Sequence, residues 1–175
     1  MRRPSALSAI LIGGGIAGAL DITYAIVFWA FRGVSATRVL QSVASGLLGA
    51  PAFKGGLSTA ALGFVLHFVI ALSAATIFYL AAKATPVFTR HAFISGVLYG
   101  LAIYVVMNLV VLPLSAFPRK VTFPLVATTT GLFVHMFLVG LPISLAVRRA
   151  LSEKARSDAG PSRILDQTRS AETRL

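Results

Sequence analysis

The chain has 175 residues, of which 57% are hydrophobic and only 12% charged, with a mean hydropathy of +0.85. A soluble domain is nearer 45–50% apolar and about 25% charged, so the composition excludes an ordinary water-soluble globule. The net charge of +11 does not imply a nucleic-acid partner, because Lys and Arg gather near the ends of apolar runs or in the polar tail.

The apolar residues fall into four blocks, at about 5–31, 57–82, 91–113 and 123–148. Each reaches the roughly 20 residues that a helix needs to cross a bilayer. None shows the strict alternation of a membrane β-strand, so the expected fold class is an all-α membrane protein with four transmembrane helices.

The first block, ALSAILIGGGIAGALDITYAIVFWAF, holds Asp21. The other four acids (Glu153, Asp158, Asp166 and Glu172) lie in the last stretch of the chain, so Asp21 is the only carboxylate at membrane depth. Such a group is costly and marks a functional site by default. Arg2 and Arg3 resemble the start of a signal peptide, but the apolar run is too long and lacks a cleavage site, so a retained helix is expected. Gly13, Gly14, Gly15 and Gly18 resemble a dinucleotide fingerprint without its preceding strand, and are expected to serve helix packing.

Residues 36–49 form a short helix, with Ser35 as N-cap, Gly49 as stop and Pro51 beyond. Val39, Val43 and Leu47 recur at i+4, while Gln41, Ser42 and Ser45 take other positions. The pattern predicts an amphipathic interfacial helix, too short to span. A surface-lying connector is the simpler form and a re-entrant piece the alternative. At the other end, residues 150–175 lose the hydrophobic pattern and read as a polar, disordered cytoplasmic tail, helical to about Ala155. The domain division is therefore 1–149 and 150–175.

In lipid, small residues bring helices together by letting backbones approach. Gly14, Ala17, Gly18, Asp21 and Ala25 share one face of the first span; Thr59, Gly63, His67 and Ala71 share one on the second. Gly96, Gly100, Tyr104 and Asn108 drift around the third, and Thr128, Gly131 and His135 line the fourth. Gly14, Gly18, Gly63, Gly96, Gly100 and Gly131 are thus the candidate packing positions. Gly14-xxx-Gly18 and Gly63-xxx-His67 resemble Gly96-xxx-Gly100 and Gly131-xxx-His135, which reads as two tandem helical hairpins. At about 1.5 Å per residue, Asp21, His67 and His135 fall within one helical turn in height, with Asn108 above them. The candidate site is this cluster of four.

Its plainest role is structural, since interhelical polar contacts specify how helices pair. A proton or ion path is the leading functional reading: Asp and His chains are the usual relay elements, histidine titrates near neutral pH, and Pro113 permits local opening of its helix. Asp21, His67 and His135 also match a two-histidine, one-carboxylate metal set. His67 with His135 would suit bis-histidine haem, without an attachment motif. No cofactor is expected. HExxH, GxSxG and Walker motifs are absent, so an enzyme is not expected.

With four spans, eleven Lys and Arg residues lie on the side of both termini and five (Arg32, Arg38, Lys54, Arg119 and Lys120) on the other. The positive-inside rule then puts both termini in the cytoplasm. The expected partners are the lipid bilayer and further copies of the chain or a larger membrane complex. AGALD (17–21), RVLQSVASGLLG (38–49), AFKGG (52–56) and YGLAIYVVMNLVVLPLSA (99–116) resemble a group of small four-helix bacterial inner-membrane proteins with no assigned activity. The resemblance spans about residues 10–148 and implies a bacterial inner-membrane location.

Overall fold

The structure is a computed structural model that describes the backbone of residues 5–172 and the side chains of residues 5–157. All regular structure among these residues is helical. Helix α1 (Ala6–Ala30) opens on Ser5, whose hydroxyl accepts from Ser8 N–H at 3.1 Å while the Ser8 hydroxyl accepts from Ser5 N–H at 3.0 Å. This reciprocal cap satisfies two backbone donors that the first turn leaves free. Helix α2 (Ala36–Leu48) is capped by Ser35 and ends at Gly49, whose φ of +68° is left-handed backbone that a side chain would strain. A 3-10 stretch (Ala50–Lys54) leads into α3 (Gly56–Ala84). The single-turn α4 (Val87–Arg90) precedes α5 (Ala92–Leu114). The last helix, α6, starts at Leu125, has its apolar span over Leu125–Ser157, and stays helical through Leu141–Glu172.

Four helices, α1, α3, α5 and α6, are long and apolar enough to cross a membrane. Their bounds fall within a few residues of the sequence blocks except in α6, which continues past Ala155. An Arg149–Glu153 ion pair at i,i+4 spacing, 3.0 Å long, lies on the turn just before it.

Two helices widen into π turns, α5 at Met107–Val111 and α6 at His135–Gly140. Each lies just before a proline, Pro113 and Pro142. A proline ring clashes with the carbonyl four residues back and donates no N–H, so the ladder shifts register ahead of it. In α5 the Leu112 N–H reaches the Met107 carbonyl, five residues earlier.

The bundle order runs α3, α1, α6, α5: α1 packs on α3 and α6, and α5 packs on α6. The end where α1 begins and α3 finishes is called the lower end, and the end that carries α2 the upper. The core fills the lower half. Ala9 and Ala17 of α1, Ala75, Phe78, Tyr79 and Ala82 of α3, and Val139, Ile143 and Val147 of α6 form one cluster, with Tyr99 and Ile103 of α5 packed against it. Tyr99 also joins α5 to α3 there, donating its hydroxyl to the Ala74 carbonyl at 2.7 Å and stacking against Phe78 at 4.9 Å.

Small residues set the crossings. Gly14 and Gly18 face Ala71, Leu72, Ala75 and Phe68 of α3, while Gly13 faces Ile143 and Ala146 of α6. Gly96 and Gly100 meet the α6 backbone at Gly140 and His135, where an added Cβ would overlap carbonyl atoms. Gly131 lies under the Tyr104 ring. Gly63 faces no other span; it abuts the backbone of α2 at Leu40.

Candidate functional site: a cleft with Asp21 at its floor

Above the core, α3 and α5 stand on either side of a cavity of about 420 Å³. Leu66, Ile70 and Ala74 of α3 form one wall and Ile103, Met107 and Val111 of α5 the other. Ser42, Val43, Gly46 and Leu47 of α2 form the roof with Ser115 and Phe117. Ile70, Val111 and Leu47 line this space and are also exposed, at 39%, 39% and 61%, so its mouth opens sideways between α3 and α5 and is rimmed by apolar groups. Ala17, Gly18 and Asp21 of α1, with His67 and His135, lie at its floor.

Both imidazoles are committed to backbone. His67 Nε2 lies 2.8 Å from the Gly18 carbonyl oxygen, and His135 Nδ1 lies 2.9 Å from that of Gly131. A carbonyl only accepts, so those two ring nitrogens carry the protons and donate. In the neutral rings, His67 Nδ1 and His135 Nε2 are then bare acceptors. Aromatic edges hold both rings in place: Phe68 against His67 at 5.5 Å and Tyr104 against His135 at 5.2 Å.

Asp21 is different. Its carboxylate stands 3.9 Å from His135 Nδ1, whose proton is directed at Gly131, and it makes no hydrogen bond among the described residues. It retains 23% side-chain exposure, which it shows to the cleft. Nearby, Tyr24 donates to the Thr130 hydroxyl at 2.6 Å, which ties α1 to α6 one turn above.

Three of the four candidate residues therefore meet in one cleft and one does not. Asn108 turns its amide to the Tyr104 carbonyl of its own helix at 2.9 Å and lines a separate groove with Pro113, Arg119 and Lys120. It sits inside the π turn ahead of Pro113, where extrapolating a face at 3.6 residues per turn breaks down. The metal set is also not assembled: among the described residues no three His, Asp or Glu side chains converge on a point that would hold an ion. The cause is local, since the histidines turn their protonated nitrogens to carbonyls on α1 and α6.

Each histidine span also contacts a glycine of its neighbour. Gly18 meets His67 across α1 and α3, and Gly100 meets His135 across α5 and α6. The first contact is a ring-to-carbonyl hydrogen bond and the second is backbone packing.

Two arrangements lie beyond what the sequence pattern indicated. The guanidinium groups of Arg38 and Arg119 lie 4.2 and 5.6 Å from the Phe53 ring centre, and Arg38 also donates to the Phe53 carbonyl at 3.2 Å. And the inner face of α2 is mixed: Gln41 and Ser45 are buried beside Val39 and Ala44, with Gln41 donating to the Gly56 carbonyl at 3.0 Å, while Leu47 and Leu48 are exposed. The chain matches no protein-family model, no curated protein and no solved structure.

Proposed function

We propose that this chain is a multi-pass protein of the bacterial inner membrane in which Asp21 takes up and releases a proton as part of a transport-related cycle, with His135 and His67 beside it. One observation carries the reading: a carboxylate without a hydrogen-bond partner, within a helix long and apolar enough to cross a membrane, faces an open cleft. An Asp near the centre of a membrane helix costs on the order of 3 kcal/mol. A structural Asp would offset that cost by bonding a donor, and Tyr24 is a donor close by that bonds Thr130 instead. The groups facing Asp21 are His67 from α3, His135 from α6 and Tyr104 from α5 behind His135; α2 contributes no charge to the cleft.

The lower end is the cytoplasmic one, on the excess of Lys and Arg near both termini. Helix α2 enters the membrane as a re-entrant piece. The support is at its C-terminal end, where Leu47 and Leu48 face outward while Gln41 and Ser45 are buried beside Val39 and Ala44. A packing role is the second reading, and at His67 it has its own support, since that ring joins α3 to α1 through the Gly18 carbonyl.

The proton reading is tested by infrared difference spectra of the purified chain taken across a pH series. Wild type is expected to show a carboxylic-acid C=O stretch that appears as pH falls and is missing from Asp21→Asn. A spectrum without such a band, in a protein whose Asp21→Asn variant unfolds at a lower temperature, would leave the packing role alone standing.

A further inference from the structure

We infer that the cleft between α3 and α5 binds a lipophilic cation, an organic molecule with an apolar body and a positively charged nitrogen, that enters sideways from the bilayer. The inference deepens the proton reading and rests on its view of Asp21 as an unpaired carboxylate at membrane depth.

Size is the first argument. A volume of about 420 Å³ lies within the range of small-molecule sites, about 300–1,000 Å³. Access is the second. The lower half is closed by the core around Phe78, Ile143 and Val147, and the top is covered by α2 and residues 115–117. The open side is the one rimmed by Ile70, Val111 and Leu47. Apolar rim residues favour a visitor already dissolved in lipid over one arriving from water.

Charge is the third and decides the class. The polar group at the floor without a hydrogen-bond partner is the Asp21 carboxylate, an acceptor, beside two imidazoles. The N–H groups of both rings are already engaged. Above, the Ser115 hydroxyl is committed to the Leu112 carbonyl, while the Ser42 hydroxyl makes no hydrogen bond among the described residues. An anionic head at the floor would meet the Asp21 carboxylate, with the Ser42 hydroxyl in the roof as the one uncommitted side-chain donor. A neutral hydrocarbon would leave the carboxylate unpaired in a low-dielectric space, which is unfavourable. A cation satisfies the carboxylate, and its apolar body covers the walls formed by Leu66, Ile70, Ile103 and Met107. No covalent step is involved.

The test uses the full chain in uncharged maltoside micelles and three probes that share one tail: octyltrimethylammonium, octanol and octyl sulfate. Equilibrium dialysis against protein-free micelles measures binding. The expected result is saturable binding of the ammonium probe, one per chain, with the other two at least tenfold weaker. Asp21→Asn should lose at least tenfold in affinity for the ammonium probe alone. Ile70→Trp, which narrows the mouth without touching Asp21, should lose it as well while keeping the carboxylic-acid band of the wild type.

Equal binding of octanol, or an ammonium affinity unchanged in Ile70→Trp, overturns the inference. Should Asp21→Asn fail to assemble, the head-group series and Ile70→Trp decide the matter on their own. Loss of the ligand claim with the infrared band intact leaves the proton reading standing, and cation binding without the band removes the proton reading only. Adding phosphatidylethanolamine as competitor separates the two sources of an ammonium head. Displacement of the probe assigns the site to a lipid headgroup, and retention assigns it to a free lipophilic amine.

Discussion

Tyr24 and Asp21 sit one turn apart on α1, and only the tyrosine has found a partner on α6. A membrane hydrogen bond of the Tyr24–Thr130 kind contributes about 0.6 kcal/mol on average, so its loss should register without unfolding the bundle. Tyr24→Phe is expected to lower stability by roughly that amount in a denaturant titration in micelles. A much larger loss would mean that the Thr130 hydroxyl has no other use. That hydroxyl also donates back to the Val126 carbonyl at 2.6 Å, which is why a small effect is expected. The side chains that could meet were legible in the sequence, because a single polar candidate per apolar block, ionisable in three of the four, is a sparse pattern. Their actual bonds were not. Each histidine chose a backbone carbonyl over Asp21, and sequence spacing carries no information about which acceptor lies nearer.

Among the elements, the length of each span could be read from hydropathy, since a block of some twenty apolar residues has no other stable form in lipid. The crossing points followed from glycine. The clearest contrast is Gly63 against Gly15. A Cβ at Gly63 would run into the Leu40 carbonyl of α2, while one at Gly15 has nothing within 4 Å. Gly63→Ala is expected to lower the thermal midpoint, at a cost of about 1–3 kcal/mol for overpacking against backbone. Gly15→Ala should leave the midpoint unchanged or raise it, because Ala is the better helix former by about 1 kcal/mol. Similar losses from both would show that α2 does not pack on Gly63. The π turns were only half legible. Pro113 signalled a weak point in α5, and the widened turn it produces is what carries Asn108 away from the cleft. Pro142 does the same to α6 and places His135 at the first residue of the wide segment.

For the molecule as a whole, amphipathic periodicity says that α2 has two faces but not which solvent each one meets. The pattern Val39, Val43, Leu47 reads as an inward stripe if water lies outside, and Val39 and Val43 do face inward while Leu47 does not. With lipid outside, Leu47 is free to point away and Gln41 to point in. The chain has no cysteine, so a single introduced thiol reports one position cleanly. A spin label at Leu47→Cys in lipid vesicles is expected to collide with dissolved oxygen far more than with a water-soluble nickel complex. The opposite ratio would return α2 to the aqueous surface and remove the re-entrant reading.

The Phe53 ring, gripped by Arg38 and Arg119, has a mechanical meaning. Arg38 sits at the start of α2 and Arg119 in the stretch that leaves α5, so the ring rivets one to the other. At the far end of α2, the Ala116 N–H bonds the Gly46 carbonyl at 2.9 Å and makes a second rivet to the same stretch. A helix pinned at both ends is a beam, not a lid. It cannot swing up on one hinge, and lifting it means bending the top of α5 at its π turn. On the proposed reading, a ligand for Asp21 then comes through the side wall, where the wide turn at Met107–Val111 forms part of the frame.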